Sequence, residues 1–234
     1  MDIIYEDREI IVCHKMPGIP VQTGKIGQMD LISILRNYLA EKGETPEIFL
    51  VHRLDQPVEG IMVFAKTKSS AADLGRQIQE KRVEKKYLAL TEGIFTEKTG
   101  TLENYLLRDG KSNTSKVVPK GTKGAKLARL SYEVQRELEG NASLVKVSLE
   151  TGRHHQIRVQ MAQAGHPLIG DKKYNKNCPK KYIPVGLCSV GTSFCHPSTG
   201  QKMEFETEPK GELFAKIKNI AMEKSDRKTE KPGK

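Results

Sequence analysis

With 234 residues and 37% hydrophobic content, the chain is large enough to bury one substantial core or two small ones, which excludes wholesale disorder. Lys and Arg number 39 against 29 Asp and Glu, and the resulting net charge of +10 favours a polyanionic partner such as nucleic acid, although many soluble proteins are basic without one. No apolar stretch approaches the roughly 20 residues that a membrane-spanning helix needs, so no such helix is expected.

Predicted strands and a helix alternate in the first part of the chain. β-Rich runs predict strands at 9–14, 48–51 and 61–65. Residues 30–42 repeat apolar side chains at helical spacing, with Asp30 as the N-cap and Gly43 as the stop. The polar residues 52–60 connect two of the strands, and functional side chains often lie on such connections.

The pattern continues in the second part of the chain. Helices are predicted over 69–82, with Ser69 as the N-cap, and over 155–164, with Gly165 at the end. Strands are predicted at 87–95 and 143–151. Residues 100–126 are rich in Gly, Lys, Ser, Thr and Asn, so we expect an irregular, exposed and basic excursion there.

These elements predict one α+β domain over residues 1–222, built on an antiparallel or mixed β-sheet. Residues 223–234 mix both signs of charge with Pro and Gly, and we expect a disordered tail. The cysteines form no C-x-x-C pair, and the first residues are acidic where a secretory signal would be basic. We therefore expect a reduced, soluble, cytoplasmic protein.

Four stretches carry the candidate chemistry. They are residues 51–67 (VHRLDQPVEGIMVFAKT), 85–89 (KKYLA), 151–160 (TGRHHQIRVQ) and 165–171 (GHPLIGD). In this order and spacing they resemble the signature motifs of the RluA-type RNA pseudouridine synthases, and the similarity extends from about residue 3 to 209. Each motif alone is weak, since an Asp before a polar residue and Pro is often only a turn. Together they are hard to produce by chance.

The resemblance implies an isomerase that acts on structured ribosomal or transfer RNA as a monomer and without a cofactor. Such an enzyme extrudes a uridine, breaks the bond between uracil and ribose, rotates the base and rejoins it through carbon 5. The implied catalytic residues are Asp55, whose carboxylate acts on the nucleotide, Tyr87, which stacks on the extruded base, and Arg158, which pairs with Asp55. The route taken by the carboxylate stays open.

The resemblance also implies a set of RNA-binding residues. Arg53 is assigned to flip the base or fill the gap that it leaves, because a guanidinium can stack on bases and pair with phosphates. We expect His52, Arg153, His154 and Gln156 to contact RNA or to order the loops that do.

The sequence departs from the family pattern at several points. Most relatives have Ser or Thr before the glycine of the first motif, where this chain has Glu59, which adds negative charge near Asp55. Cys188 stands where relatives usually have His. Many relatives carry a small N-terminal RNA-binding domain, whereas this sequence starts directly on the catalytic domain. We therefore expect the lysines of 111–126 and 172–181 to engage phosphates.

Other functions stay open. A non-catalytic RNA-binding or RNA-folding protein on the same scaffold is favoured only if Asp55 is dispensable. A hydrolase using His154 or His155 would lack an oriented nucleophile. These histidines and His166 have no carboxylate or cysteine at ligand spacing, so no metal is expected. The presence of the whole catalytic set favours the enzyme.

Overall fold

A computed structural model describes residues 2–25, 27–181 and 183–216. Within these residues the helices are α1 (Leu31–Glu41), α2 (Lys68–Gln79) and α3 (Gln156–Gln163), and residues 212–216 are also helical. The strands are β1 (Asp2–Glu6), β2 (Ile10–Lys15), β3 (Phe49–Leu50), β4 (Glu59–Ala65), β5 (Glu84–Glu92), β6 (Thr99–Asp109), β7 (Thr114–Val118), β8 (Lys126–Leu138), β9 (Ala142–Leu149), β10 (Leu187–Cys195) and β11 (Lys202–Glu206). The tail predicted at 223–234 lies outside the described residues.

In this part of the chain the strands form one mixed sheet. Its order is β1-β2-β4-β10-β5-β9-β8-β6-β7, with β3 added to β4 and β11 added to β10. β4 and β10 run parallel, and the other strand pairs run antiparallel. The predicted α+β fold on a mixed sheet is confirmed.

Helices cover both faces of β4. Met62 and Phe64 of this strand pack in the same core cluster as Leu35 of α1. The intervening Val63 packs on the other face, with Leu74 of α2. A strand that is buried on both faces reads as a continuous apolar run, and this explains why the alternation expected of a half-buried strand is absent from β4.

Side-chain caps set where α1 and α2 begin. Asp30 caps α1 as predicted, and its Oδ1 accepts a hydrogen bond from the backbone N–H of Ser33 at 2.8 Å. The prediction of Ser69 as the cap of α2 was wrong, because Thr67 Oγ1 accepts the bond from the N–H of Ser70 at 3.2 Å. The hydroxyl of Ser69 lies 3.0 Å from that of Thr67 and takes no capping role.

The prediction of an irregular excursion over 100–126 was also wrong. Most of this segment lies in β6 and β7, which form an antiparallel hairpin, and the residues outside the strands are the hairpin turn at 110–113 and the connection at 119–125. Leu106 of β6 and Ala128 of β8 are buried against Val159 of α3. Apolar contacts with distant parts of the chain therefore outweigh the loop-like composition.

The junction of β4 and β10 depends on a glycine. Gly60 pairs with Ser189 and has a φ of +118°, a conformation that residues with a Cβ rarely adopt. A Cβ on Gly60 would lie 2.2 Å from the carbonyl oxygen of Ser189. The absence of a side chain lets β4 approach β10 directly after the polar loop 51–58.

We expect Gly60→Ala to lower the free energy of unfolding by about 3 kcal/mol or more, since it adds both a steric clash and backbone strain. Urea denaturation measures the change. Gly75→Ala is the matched control, because Gly75 lies inside α2 with nothing within 4 Å of an added Cβ, and this change should raise stability by about 0.5 to 1 kcal/mol. Equal effects of the two substitutions would contradict the account of the junction.

Candidate active site

An open cleft of about 1430 Å³ is bordered by the polar loop 51–57, the start of β5 and the turn between β9 and α3. Its basic side chains are Arg53, Lys81, Lys85, Lys86, Arg108, Arg153, Arg158 and Lys173, and its acidic ones are Asp55, Glu84 and Glu150. Among the described residues of the basic segments 111–126 and 172–181, Asn113 and Lys173 reach this lining. The excess of cations gives the cleft a positive potential.

A buried lysine organises the loop that carries Asp55. Lys15 is fully buried, and its ammonium donates hydrogen bonds to the carbonyl oxygens of Met16 at 3.1 Å, Ile19 at 2.8 Å and Gln56 at 3.0 Å. Burial lowers the pKa of Lys15 to about 8. The contact with Gln56 ties the residue next to Asp55 to the end of β2, so the loop is held on a rigid element.

Arg158 binds two carboxylates at once. Its Nη1 donates to Asp55 Oδ2 at 2.8 Å, while its Nε and Nη2 donate to Asp171 Oδ2 and Oδ1, both at 2.8 Å. The side chain of Asp171 is 0% exposed, that of Arg158 is 4% exposed, and that of Asp55 is 26% exposed. Burial opposes the charge of Arg158, but the pairs with Asp171 and Asp55 outweigh it and raise the arginine's pKa. The guanidinium is therefore cationic and held in place.

His155 approaches Asp55 from the start of α3. It occupies the N-cap position with a φ of +54°, and its Nε2 lies 3.5 Å from Asp55 Oδ2. Its Nδ1 lies 2.6 Å from the hydroxyl of Tyr174. Burial and the charge of Arg158 lower the pKa of His155 to about 2. The ring beside Asp55 is thus a neutral imidazole near pH 7.

Tyr87 lies on β5 and lines the same cleft. Its side chain is 6% exposed, so the phenol is largely shielded from water. Burial raises the pKa of Tyr87, and the charge of Asp55 acts in the same direction. The phenol therefore keeps its proton near neutral pH and presents an aromatic ring to the cleft.

Four of the five residues predicted to contact RNA line the cleft, namely His52, Arg53, Arg153 and His154. Arg53 is exposed, and no carboxylate pairs with it in the described part of the chain. Arg153 is exposed and donates from its Nε to the carbonyl of Leu127 at 2.9 Å. His154 is half-buried, with its Nδ1 2.9 Å from the hydroxyl of Ser115.

Two of the predicted contacts, Gln156 and His52, bind the protein's own backbone. Gln156 is 3% exposed, and its Oε1 accepts hydrogen bonds from the hydroxyl of Thr151 at 2.8 Å and the N–H of Arg153 at 2.9 Å. His52 Nε2 accepts a hydrogen bond from the N–H of Val63 at 3.0 Å. Of the two roles expected for Gln156, RNA contact or loop ordering, its burial and these bonds favour ordering of the turn before α3.

The two residues that depart from the family pattern, Glu59 and Cys188, lie outside the cleft lining. Glu59 is 3% exposed, and its Oε2 accepts hydrogen bonds from the N–H groups of Lys210 at 2.9 Å and Gly211 at 2.8 Å. Its carboxylate therefore anchors the segment after β11. Cys188 is fully buried with Leu90 and Phe214.

Sequence reasoning gave no role to Lys15, Asp171 or Tyr174 and linked His155 only to the disfavoured hydrolase and metal-site alternatives, although each of the four contacts the loop or side chains of the site. Asp171 closes the fourth motif and Tyr174 follows it by three residues, so an Asp-x-x-Tyr spacing was the available signal. A buried charge needs a partner, but only the fold reveals which one. Within the described residues, no group of three His, Cys, Asp or Glu side chains could hold a metal ion. None of the helices described there is long and apolar enough to cross a membrane.

The chain is similar in sequence to RNA pseudouridine synthases. A family model described as RNA pseudouridylate synthase matches residues 9–163. The chain is 36% identical over 176 residues to an uncharacterized RNA pseudouridine synthase of Bacillus subtilis, covering 74% of this chain and 57% of that protein. It is 33% identical over 220 residues to ribosomal large subunit pseudouridine synthase D of Haemophilus influenzae, covering 88% of this chain and 66% of that protein. The chain thus spans less than two thirds of these relatives.

Solved structures share the fold. The human RNA pseudouridylate synthase domain containing 4 superposes with a TM-score of 0.75 at 23% identity, over 92% of this chain and 90% of that one. The human RNA pseudouridylate synthase domain containing 1 gives a TM-score of 0.73 at 25% identity, over 89% and 83%.

We expect His155 to stay neutral well below pH 6.5. Unfolded chains take up a proton on this histidine below its ordinary pKa of 6.5, whereas the folded protein does so only near 2. The contribution of neutral His155 to the free energy of unfolding is therefore fully present above pH 6.5. It is lost progressively as the pH falls from 6.5 towards 2. Imidazole nitrogen NMR should show no titration of His155 between about pH 8 and 5.

Below pH 6.5 the free energy of unfolding should rise with pH less steeply in His155→Gln than in the native protein. The difference in slope should be up to ~1.4 kcal/mol per pH unit, measured by urea denaturation at several pH values. A titration midpoint of His155 near its ordinary pKa would contradict the burial argument.

Proposed function

Because this chain belongs to the RNA pseudouridylate synthase family, we propose that it isomerises a uridine of structured RNA to pseudouridine, with Asp55 as the catalytic carboxylate. The observation that carries the proposal is the 2.8 Å pair between Asp55 and the buried Arg158 in a basic cleft. A carboxylate needs to be ionised and rigid to act on a sugar or a base, and a buried cation favours both conditions.

The reaction rearranges bonds within one nucleotide. The bond from uracil N1 to the ribose C1′ breaks, the base turns, and a new bond joins C5 to C1′. The hydrogen on C5 is lost and N1 gains one, so the composition is unchanged and no cosubstrate is consumed. Asp55 acts on the nucleotide while Arg158 stabilises the carboxylate's negative charge.

Tyr87 and Arg53 handle the extruded nucleotide. The ring of Tyr87 stacks on the uracil, an interaction worth about 1 to 3 kcal/mol per base. Arg53, exposed beside Asp55, fills the gap in the RNA or pairs with its phosphates. Extrusion itself costs a few kcal/mol, which the basic cleft offsets by binding the flanking backbone.

Ribosomal RNA is the favoured substrate class, with transfer RNA as the alternative. Relatives of this chain are named ribosomal large subunit pseudouridine synthases C and D. Acting on such RNA would place the protein in the cytoplasm. A monomer is supported because one chain supplies every group of the site.

We expect Asp55→Asn to abolish pseudouridine formation and to leave RNA affinity within about threefold, because the charge serves chemistry more than backbone binding. The assay uses total RNA from cells that lack the protein, followed by pseudouridine mapping and a binding titration. Asp73→Asn, the same change on α2 outside the cleft, is the matched control. Full activity of Asp55→Asn would favour a non-catalytic RNA-binding protein.

Combined replacement of Arg108 and Lys81 by Ala should flatten the dependence of RNA affinity on salt. Each lost phosphate contact lowers the slope of log affinity against log salt by ~0.7 to 0.9. Both side chains are exposed and line the cleft. Lys202→Ala is the control, because Lys202 is 66% exposed on β11 and is not part of the cleft lining. An equal change in the control would mean that the cleft does not hold the RNA backbone.

A further inference from the structure

We propose that Asp171 and Tyr174 are positioning residues that hold Arg158 and His155 on one oxygen of Asp55, Oδ2, and so leave Oδ1 as the oxygen that acts on the nucleotide. This inference rests on the proposed function and adds the division of labour between the two oxygens. Asp171 closes the fourth sequence motif, to which no role was assigned, and Tyr174 follows one turn later.

Asp171 fixes the plane of the guanidinium. Its two oxygens accept from Nε and Nη2 of Arg158, both at 2.8 Å, which is the bidentate geometry that restrains an arginine most strongly. Asp171 Oδ1 also accepts the N–H of Lys173 at 3.0 Å. With this edge occupied, Nη1 is the nitrogen that Arg158 presents to Asp55.

Tyr174 fixes the tautomer of His155. The backbone N–H of Ser115 can only donate, and it lies 2.7 Å from the Tyr174 oxygen, which therefore accepts that bond. The hydroxyl proton is then free to point at His155 Nδ1, 2.6 Å away. A neutral imidazole that accepts at Nδ1 carries its proton on Nε2, the atom that faces Asp55 Oδ2 at 3.5 Å.

Both positioned groups meet the same oxygen. Arg158 Nη1 and His155 Nε2 contact Oδ2 of Asp55, and no described residue donates a hydrogen bond to Oδ1. The Arg158 guanidinium also lies over the ring of Tyr174, 5.2 Å from its centroid, so Tyr174 contacts Arg158 as well as His155. Oδ1 keeps its lone pairs for the nucleotide.

Stability alone does not account for this arrangement. A buried ion pair such as Arg158 with Asp171 loses in desolvation much of what it gains in attraction, and an apolar pair of similar volume would often serve the fold as well. His155 additionally adopts a left-handed conformation, which is unfavourable for a residue with a Cβ. Unfavourable features that meet at one oxygen are expected at a functional site.

The first test is Asp171→Asn, which keeps the shape of the side chain and removes the ion pair. We expect the single-turnover rate of pseudouridine formation to fall on the order of 100-fold, with the dissociation constant for RNA changed less than about threefold. The control is Asp7→Asn, which removes another hydrogen-bonded carboxylate. Asp7 lies in the turn between β1 and β2 and bonds to Tyr5 and to His196, which follows β10. Its rate should match that of the native protein.

A double-mutant cycle separates positioning from a general structural effect. If Asp171 acts through Arg158, adding Asp171→Asn to Arg158→Lys should lower the rate by less than about twofold further. Full additivity of the two losses would overturn the proposal, as would a native rate in Asp171→Asn alone.

The second test uses Tyr174→Phe, which keeps the ring and removes the hydroxyl, and it decides the question even if Asp171→Asn does not fold. Imidazole nitrogen NMR should find the native His155 proton on Nε2, and Tyr174→Phe should mix the two tautomers and slow the reaction about tenfold. Tyr132→Phe, outside the cleft, is the control. A native His155 proton on Nδ1, or an unaltered tautomer and rate in Tyr174→Phe, would overturn the proposal.

The tests distinguish this inference from the function on which it rests. If the native protein forms no pseudouridine in any RNA, the proposed function fails, and the His155 tautomer still decides whether Tyr174 positions it. If the native protein is active and the Asp171 and Tyr174 variants keep its rate, the inference alone fails.

Discussion

The guanidinium of Arg158 is shared between two carboxylates, and the geometry of the cleft depends on how its N–H groups are divided between them. Asp171 is fully buried and takes one edge of the guanidinium, while the more exposed Asp55 takes the remaining Nη1. A buried arginine without a carboxylate would be strongly destabilising, so the pair with Asp171 is what allows a cation to sit beneath Asp55. The same cation holds the Asp55 carboxylate in place at the edge of an open, basic cleft.

The sheet brings these groups together from distant parts of the chain. Asp55 lies on the loop before β4, held by the buried Lys15 at the end of β2, while Arg158 lies on α3 and Asp171 on the following loop. The close approach of β4 and β10 at Gly60 determines where that loop ends. Rigid strands and a buried helix therefore position a site whose two carboxylates, Asp55 and Asp171, lie on irregular segments.

Sequence patterns predicted the fold class, the helices α1, α2 and α3 and five of the strands, and the fold brings Asp55, Tyr87 and Arg158 to one cleft. The caps of α1 and the apolar run of β4 were readable because their signals are local. The hairpin of β6 and β7 was missed because its Gly- and Lys-rich composition is typical of a loop and its apolar partners on α3 are distant in sequence. Asp171 and Tyr174 were missed for a related reason, since their partners become visible only when α3 packs against the loop that follows it.

The most direct test of the central claim is a crystal structure of the protein bound to an RNA that contains its target uridine. The account predicts that the uridine leaves its stack and enters the cleft, with its C1′ facing Asp55 Oδ1, its base on Tyr87, and the Arg158 contacts with both carboxylates intact. A uridine that stays stacked in the RNA, or an Asp55 side chain turned away from both the nucleotide and Arg158, would contradict it.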